Sequence, residues 1–390
     1  MKDTQIQKLI EQEKKRQGNV INLIASENIV SQDVLDALGS ELTNKYAEGY
    51  SHARYYGGNE IVDQVEDLCI ARALETFKLK SKDWHVNVQP LSGSPANLAV
   101  YGAILNVGDT IMAMDLSHGG HLTHGFKVSF TGKLYKQIPY GVDEKTQKLD
   151  YEVLMKLAKK EKPKLIITGY SAYSRKIDFK KFREIADEVG AILMVDMAHI
   201  SGLIAGGAHP SPFKYADIVT STTHKTLRGP RSGIIFAKKD AREFDKKIDK
   251  AVFPGLQGGP HLNQIAGVAV ALKEAQTPAF KKYVEQVCKN AKTLADELKK
   301  LGWKILSGGT DNHLVLVNVW MDGKGIGGKD ASDKLEQAGI IVNKNTIPGE
   351  TRSPVNPSGI RLGTAAETTR GLKEKDFINI AKRIDEILRK

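Results

Sequence analysis

From about residue 85 onward the chain alternates short, β-branched apolar runs with amphipathic segments, and this rhythm restricts its fold more than any other feature. HVNVQ, DTIMAM, KLYKQI, KLIITGY, AILMVD, DIVTST and GIIFAK have the length and residue types of strands. Between them, Pro95 to Leu105, Tyr151 to Lys160 and Phe179 to Val189 repeat their apolar residues at about the 3.6-residue helical period. The alternation predicts an α/β fold with a mainly parallel mixed sheet flanked by helices, since parallel neighbours need a crossover long enough to hold a helix. After Pro278 the rhythm changes to one long helix, then WKILS, HLVLVNVW, a helix around Ala331 to Gln337, IIVNK, GIRLG and a terminal helix through Leu388. That predicts a smaller carboxyl-terminal α+β domain. The expected division is 1–50, 51–277 and 278–390, in keeping with two or three units in 390 residues.

Composition excludes several classes. Hydrophobic residues make up 41% and charged residues 26%, which fits an ordinary folded chain and not a disordered one. The longest apolar stretches, such as Ile265 to Leu272, fall well short of the roughly 18 residues of a membrane span. The start, MKDTQIQKLIEQEKKRQ, reads as an amphipathic helix and lacks the apolar core of a secretion signal. Cys69 and Cys288 have no Cys or His at metal-ligand spacing, so a disulfide framework and a Cys-rich zinc site are excluded and a reducing, cytoplasmic setting is expected. The 57 basic and 46 acidic residues give a net charge of +11, which favours anionic partners. The lysines are spread along helices without arginine–aromatic interleaving, so they read as solvated surface, and nucleic acid is not a required partner.

Loops that directly follow strands are where an open α/β sheet binds its ligands. HVNVQP runs into LSGSPANLAVYGAIL, with Ser94 expected as the N-cap and Pro95 at the first helical position. Ser92, Gly93 and Ser94 then offer N–H groups and hydroxyls to an anion such as phosphate, although the same residues also serve routine capping. Asp196 ends AILMVD and sets a carboxylate at the edge of a buried strand, suited either to capping the next loop or to holding a cationic ring nitrogen. DIVTST leads into THKTLRGPR, which puts His224 and Lys225 just past a strand end. Together, the lysine, the strand-terminal Asp and the Ser-Gly-Ser helix start supply one handle each for the aldehyde, ring nitrogen and phosphate of pyridoxal 5'-phosphate.

The remaining candidates fit an amino-acid substrate. Arg361, in a strand-like SGIRLGT, suits either a structural salt bridge or a bidentate grip on an α-carboxylate. Glu48 in NKYAEGY is either a surface acid or a proton-transfer group sheltered by tyrosines. His118, His121 and His124 superficially suggest a metal site. No carboxylate accompanies them in the sequence, and Gly119 and Gly120 leave room for a flat ligand, so His121 is expected to stack on a planar ring and no metal is expected.

The strings LIASEN, LTNKYAEGY, RYYGG, NVQPLSGSPAN, SHGGHLTHG, SAYS, VDMAH, TTHKTLRGPR, FPGLQGGP, SGGTDNHL, VNKN and SGIRLGT follow one another in the order found in the serine hydroxymethyltransferase family, which the chain resembles from about residue 6 to its last helix. The resemblance implies a fold-type-I pyridoxal phosphate enzyme that moves the hydroxymethyl group of L-serine to tetrahydrofolate, giving glycine and methylenetetrahydrofolate. It implies that Lys225 takes the cofactor aldehyde, with His224 beside it, that Asp196 pairs with the pyridinium, and that His121 stacks on the ring. Ser92, Gly93 and Ser94 would hold the phosphate, helped by Gly258 and Gly259 of a partner subunit. A homodimer is therefore expected, with a tetramer also open, and with the 1–50 arm serving both dimer and active site. Arg361 would bind the substrate carboxylate, and Ser26, Tyr46, Tyr56, Ser171 and His199 would line the site. Glu48 would manage the proton of the serine hydroxyl. Leu116, Gly120, Leu122, Asn345, Ser353, Pro354 and Val355 fall at folate-contacting positions. The chain departs from the family pattern at Val355, where an aromatic is usual, at Ile29, and in the loop SHAR.

Overall fold

The computed structural model describes residues 2–390. Seven strands, β1 (Trp84–Asn87), β2 (Thr110–Met114), β3 (Lys136–Tyr140), β4 (Leu165–Gly169), β5 (Ile192–Asp196), β6 (Ile218–Thr222) and β7 (Gly233–Lys238), form one sheet in the order β1-β7-β6-β5-β4-β2-β3. Strands β2 to β6 pair parallel, whereas β7 runs antiparallel to both β1 and β6. The sheet is covered on both faces, as parallel sheets require. Met112, Ile166, Leu193, Val195, Val219 and Phe236 join one core, and the alternate residues Ile111, Ala113, Leu165, Ile167, Met194 and Ile218 join another, which is the period of two expected of strands. The largest difference from the sequence reading is at KLYKQI. Its first residues close the short helix Phe130–Leu134, and β3 begins only at Lys136.

Past Pro278 a four-stranded antiparallel sheet is built from β8 (Lys304–Ile305), β9 (Leu314–Asn318), β10 (Asn343–Asn345) and β11 (Gly359–Gly363), in the order β8-β9-β11-β10. IIVNK is not one strand. Ile340–Ile341 pairs with Ile21–Asn22, and only Asn343–Asn345 enters the sheet. The helix Pro278–Lys300, started by a Thr277 cap and Pro278, belongs to both halves. Phe280, Val284 and Val287 pack into the large core, whereas Ala291, Leu294 and Leu298 pack under the small sheet. Leu23 lies in that small core too, whereas Ala25 and Ala47 join the large core, so the chain before residue 50 is attached to both units.

One buried ion cluster fixes the segment carrying Glu48. The hairpin Gly49–Tyr50/Ala53–Arg54 is pinned by Arg54, whose Nε donates to Asp63 at 2.8 Å and whose Nη2 donates to Glu66 at 2.6 Å. Its Nη1 bonds the carbonyls of Ala47 and Gly49, and Gln89 joins Glu66 to Gly49. The Arg54 and Glu66 side chains are only 3% and 2% exposed, so removing the cation leaves carboxylates without compensation. Arg54→Met is expected to cost about 3–5 kcal/mol of unfolding free energy, measured by urea denaturation at neutral pH.

Candidate active site

The carboxyl ends of the parallel strands converge on a cavity of about 510 Å³. Lys225, three residues past β6, is nearly buried, and its Nζ donates to Thr222 Oγ1 at 3.3 Å. Burial, opposed by Asp196 but reinforced by Arg361 and Arg231, brings its amine down to about 8. A fraction of it is therefore uncharged and nucleophilic near neutrality.

Asp196, at the end of β5, is held from several directions. Asn97 Nδ2 donates to Oδ2 at 2.9 Å, His124 Nε2 lies 3.1 Å from the same oxygen, and the Ala198 N–H donates to Oδ1 at 3.1 Å. Burial alone would raise this carboxyl; the His124 hydrogen bond and the nearby imidazoles outweigh it and keep the group well below the usual carboxylate range. The three-histidine cluster thus does have a carboxylate, supplied by the fold and not by its neighbours in sequence. His118 accepts the Val142 N–H, His124 serves Asp196, and His121 alone of the three lines the cavity. His121 Nδ1 accepts the Thr123 N–H at 3.2 Å and lies 2.8 Å from the Thr123 hydroxyl. Burial and His124 hold its imidazole down at about 4, hence uncharged near neutrality. Gly119 and Gly120 are required by the chain itself. A Cβ on Gly119 would meet Ala172 O at 2.5 Å, and one on Gly120 would meet Met114 O at 2.0 Å.

The helix after β1 spans Gly93–Ile104, so the N-cap is Ser92 and not Ser94. The first intrahelical bond runs from Ala96 N to Ser92 O, and the Ser92 side chain makes no capping bond of its own, leaving its hydroxyl available to a ligand. A Cβ on Gly93 would lie 2.6 Å from Thr222 Cγ2, so only glycine lets this helix start sit against β6. Arg361, on β11, is 9% exposed. Among the described residues its hydrogen bonds go to Asn343 Oδ1 and the Ser171 carbonyl, with no carboxylate partner, and burial lowers its guanidinium to about 10. A buried cation so placed calls for an anionic ligand. His199 Nδ1 lies 3.2 Å from His313 Nε2; burial, Lys225 and Arg361 hold His199 well below the usual imidazole range.

Ser26, Ser92, Gly93, Ser94, Leu116, Gly120, His121, Leu122, Ser171, Asp196, His199, His224, Lys225, Asn345, Pro354 and Arg361 all line this one cavity. Glu48, Tyr46, Tyr56, Gly258, Gly259, Ser353 and Val355 do not. Val355 is 67% exposed. Glu48 and Tyr46 gather instead beside Gly258 and Gly259 on a separate surface, where a Cβ on Gly258 would sit 3.6 Å from Glu48 Oε1 and one on Gly259 would sit 3.0 Å from Tyr46 Cε1. Tyr56 joins them through its hydroxyl, which accepts the Glu48 N–H at 2.9 Å. Sequence reasoning missed Asn97, Thr222 and Arg231, which also line the cavity. Asn97 was recoverable, since it stands one helical turn beyond Gly93 and so shares its face. Arg231 was not: it reaches the site because Gly233 pairs with Thr222 and brings the start of the antiparallel β7 to the same edge.

Burial keeps several histidines of this region uncharged. Burial takes His224 and His313 down to about 3, as it takes His121 and the outlying His209 down to about 4, from an ordinary 6.5. With depressed folded values, their contribution to stability is complete above about pH 6.5 and is lost as pH falls toward 4. The unfolding free energy is expected to drop by about 1.4 kcal/mol per pH unit for each such histidine between those limits. Urea titrations across pH check this, with His224→Gln and His313→Gln each flattening the slope.

The family model described as serine hydroxymethyltransferase matches residues 1–384. A curated serine hydroxymethyltransferase of Methanosarcina barkeri (strain Fusaro / DSM 804) is 59% identical over 383 residues, covering 98% of this chain and 91% of that protein. A match over nearly the whole length, on a chain whose sheet edge gathers the cavity described above, is decisive: this chain belongs to the serine hydroxymethyltransferase family.

Proposed function

We infer that the cavity binds pyridoxal 5'-phosphate and L-serine, and that the chain transfers the serine hydroxymethyl group to tetrahydrofolate, leaving glycine. The observation that carries this reading is the buried Arg361, without a carboxylate partner among the described residues, opening on the same cavity as the Lys225 amine. The cofactor fits the residues present. The Gly93 helix start and the free Ser92 and Ser94 hydroxyls suit its phosphate, Asp196 its ring nitrogen, Lys225 its aldehyde and His121 its flat face. When bound, it supplies an electron sink for charge left on Cα as the Cα–Cβ bond of serine breaks.

The protein's own part is positional and electrostatic. Asp196, kept ionised by His124 and Asn97, favours a protonated ring nitrogen. Arg361 grips the serine carboxylate, while Asn343 and the Ser171 carbonyl orient its planar fork. Leu116, Gly120, Leu122, Asn345 and Pro354 form the wall facing tetrahydrofolate. Glu48 takes and returns the proton of the serine hydroxyl, and it does so in the cavity of a second subunit. Glu48, Tyr46 and Tyr56 stand with Gly258 and Gly259 outside their own chain's cavity, so a homodimer with shared sites brings the two halves together. The helix Thr4–Asn19, which has no buried residue and exposes Ile6, Leu9 and Ile10, is the arm that such an assembly covers. The change of core falls within the helix Pro278–Lys300, between Val287 and Ala291, and so lies beyond the division expected at 277/278. Among the described residues no helix is long and apolar enough to cross a membrane, and the unpaired Cys69 and Cys288 suit a cytoplasmic setting.

Two experiments test this. Borohydride reduction of the purified protein followed by peptide mapping is expected to find the cofactor fixed on Lys225, and serine turnover is expected to require tetrahydrofolate; an unlabelled Lys225, or equal serine turnover without tetrahydrofolate, overturns the reading. Mixing inactive Lys225→Ala and Glu48→Gln chains after dissociation is expected to restore about a quarter of wild-type activity, because half of the dimers are hybrid and each has one intact site of two. No recovery places Glu48 outside the partner's site.

A further inference from the structure

Residues 346–358 leave the small sheet after β10 and return at β11, laying Thr346, Pro354 and Pro357 along the wall of the Lys225 cavity. The side chains of Glu350, Asn356, Arg352 and Lys344 hold this loop. Glu350 closes it on itself, accepting the backbone N–H of Arg352 at 2.9 Å, that of Ser358 at 2.9 Å and the Ser358 hydroxyl at 2.7 Å. Asn356 ties it to the start of the helix Gly328–Gln337, donating to Asp330 and accepting the Lys329 N–H, each at 2.9 Å. The third contact is Arg352, whose guanidinium carbon lies 3.8 Å from the centroid of the Trp320 ring while its Nε donates to the Asn356 carbonyl at 3.0 Å. Trp320 is itself fixed. Its N–H and that of Val319 both reach the Ser358 carbonyl, and the next three residues, Met321, Asp322 and Gly323, have φ of 52°, 57° and 93°. Non-glycine residues hold that conformation only where the surroundings impose it.

We propose that the Arg352–Trp320 stack is a clasp that fixes the 346–358 loop at the cavity mouth and thereby sets the affinity for tetrahydrofolate without touching it. The proposal deepens the function given above and rests on it. Neither Arg352 nor Trp320 lines the cavity, so both are positioning residues. The loop's tip is tied back to the same wall, since Lys344 Nζ donates to the Val355 carbonyl at 3.0 Å and Lys344 itself lines the cavity. The serine side of the site is independent of the loop: Arg361 is on β11 and bonds Ser171 and Asn343, and Asp196 and Lys225 follow strands of the large sheet. Loss of the clasp therefore falls on one substrate. A planar guanidinium over an indole face has an electrostatic and stacking fit that an ammonium lacks, which makes Arg352→Lys a discriminating change.

The test is steady-state kinetics of the holoenzyme with each substrate varied in turn, on wild type, Trp320→Leu, Trp320→Phe and Arg352→Lys. The KM for tetrahydrofolate is expected to rise about 3- to 10-fold in Trp320→Leu and Arg352→Lys and less in Trp320→Phe. The KM for serine and the folate-independent cleavage of a 3-hydroxy amino acid are expected to stay within about twofold of wild type. Arg352→Lys, which keeps the charge and stem, carries the test where Trp320→Leu fails to fold. An unchanged tetrahydrofolate KM, or a serine KM rising in step with it, overturns the clasp. A wild-type chain indifferent to tetrahydrofolate overturns the functional reading instead, so the two failures are distinguishable.

Discussion

A carboxylate kept ionised in a nearly buried place organises this molecule. Asp196 stays charged only because His124, Asn97 and the Ala198 N–H surround it, and those partners come from the loop after β2, the helix after β1 and the turn after β5 itself. Asn97 in turn accepts the Thr220 hydroxyl and donates to Thr123, so β6 and the His121 turn are tied into the same network. The segments that carry His121, the Ser92–Ser94 cradle and Lys225 are thereby held to one charge. A neutral residue at 196 would leave these polar groups without the acceptor they were arranged around.

The second organising element is the imbalance of charge inside the cavity. Lys225, Arg361 and Arg231 face one another with Asp196 as the acid that lines the cavity among the described residues. Burial lowers the first two, and the surrounding imidazoles stay neutral, so the site tolerates its excess of cationic groups until an anion arrives. A protein whose family makes glycine from serine thus appears, at the level of side chains, as a cavity built to be completed by anions.

Much of the site was legible in the chain order, and the reason is local. Asp196, Lys225 and the Ser92–Ser94 turn each sit within three residues of a strand or helix end, so a correct strand pattern places them at the sheet edge without further knowledge. The helix Phe179–Val189 and β7 fall where their periodicity puts them. The misplacements came where a long-range contact overrode local signals. Ser92 displaced Ser94 as the cap because Gly93 packs on Thr222, and IIVNK broke in two because Ile340–Ile341 finds Ile21–Asn22. His124 acquired a carboxylate 72 residues away, a partner that no spacing rule within SHGGHLTHG could supply.

The sequence by itself determined the strand–helix alternation, the sheet class and the residue types at the strand ends, because period, capping and turn chemistry act over a few residues. Only the tertiary structure decided that Arg361 has no acidic partner among the described residues, that Arg231 enters by an antiparallel strand, and that Glu48 stands with Gly258 and Gly259 apart from Lys225. Each of those depends on which distant surfaces meet, and that is set by packing of the whole core, which leaves no mark in any short stretch of the chain.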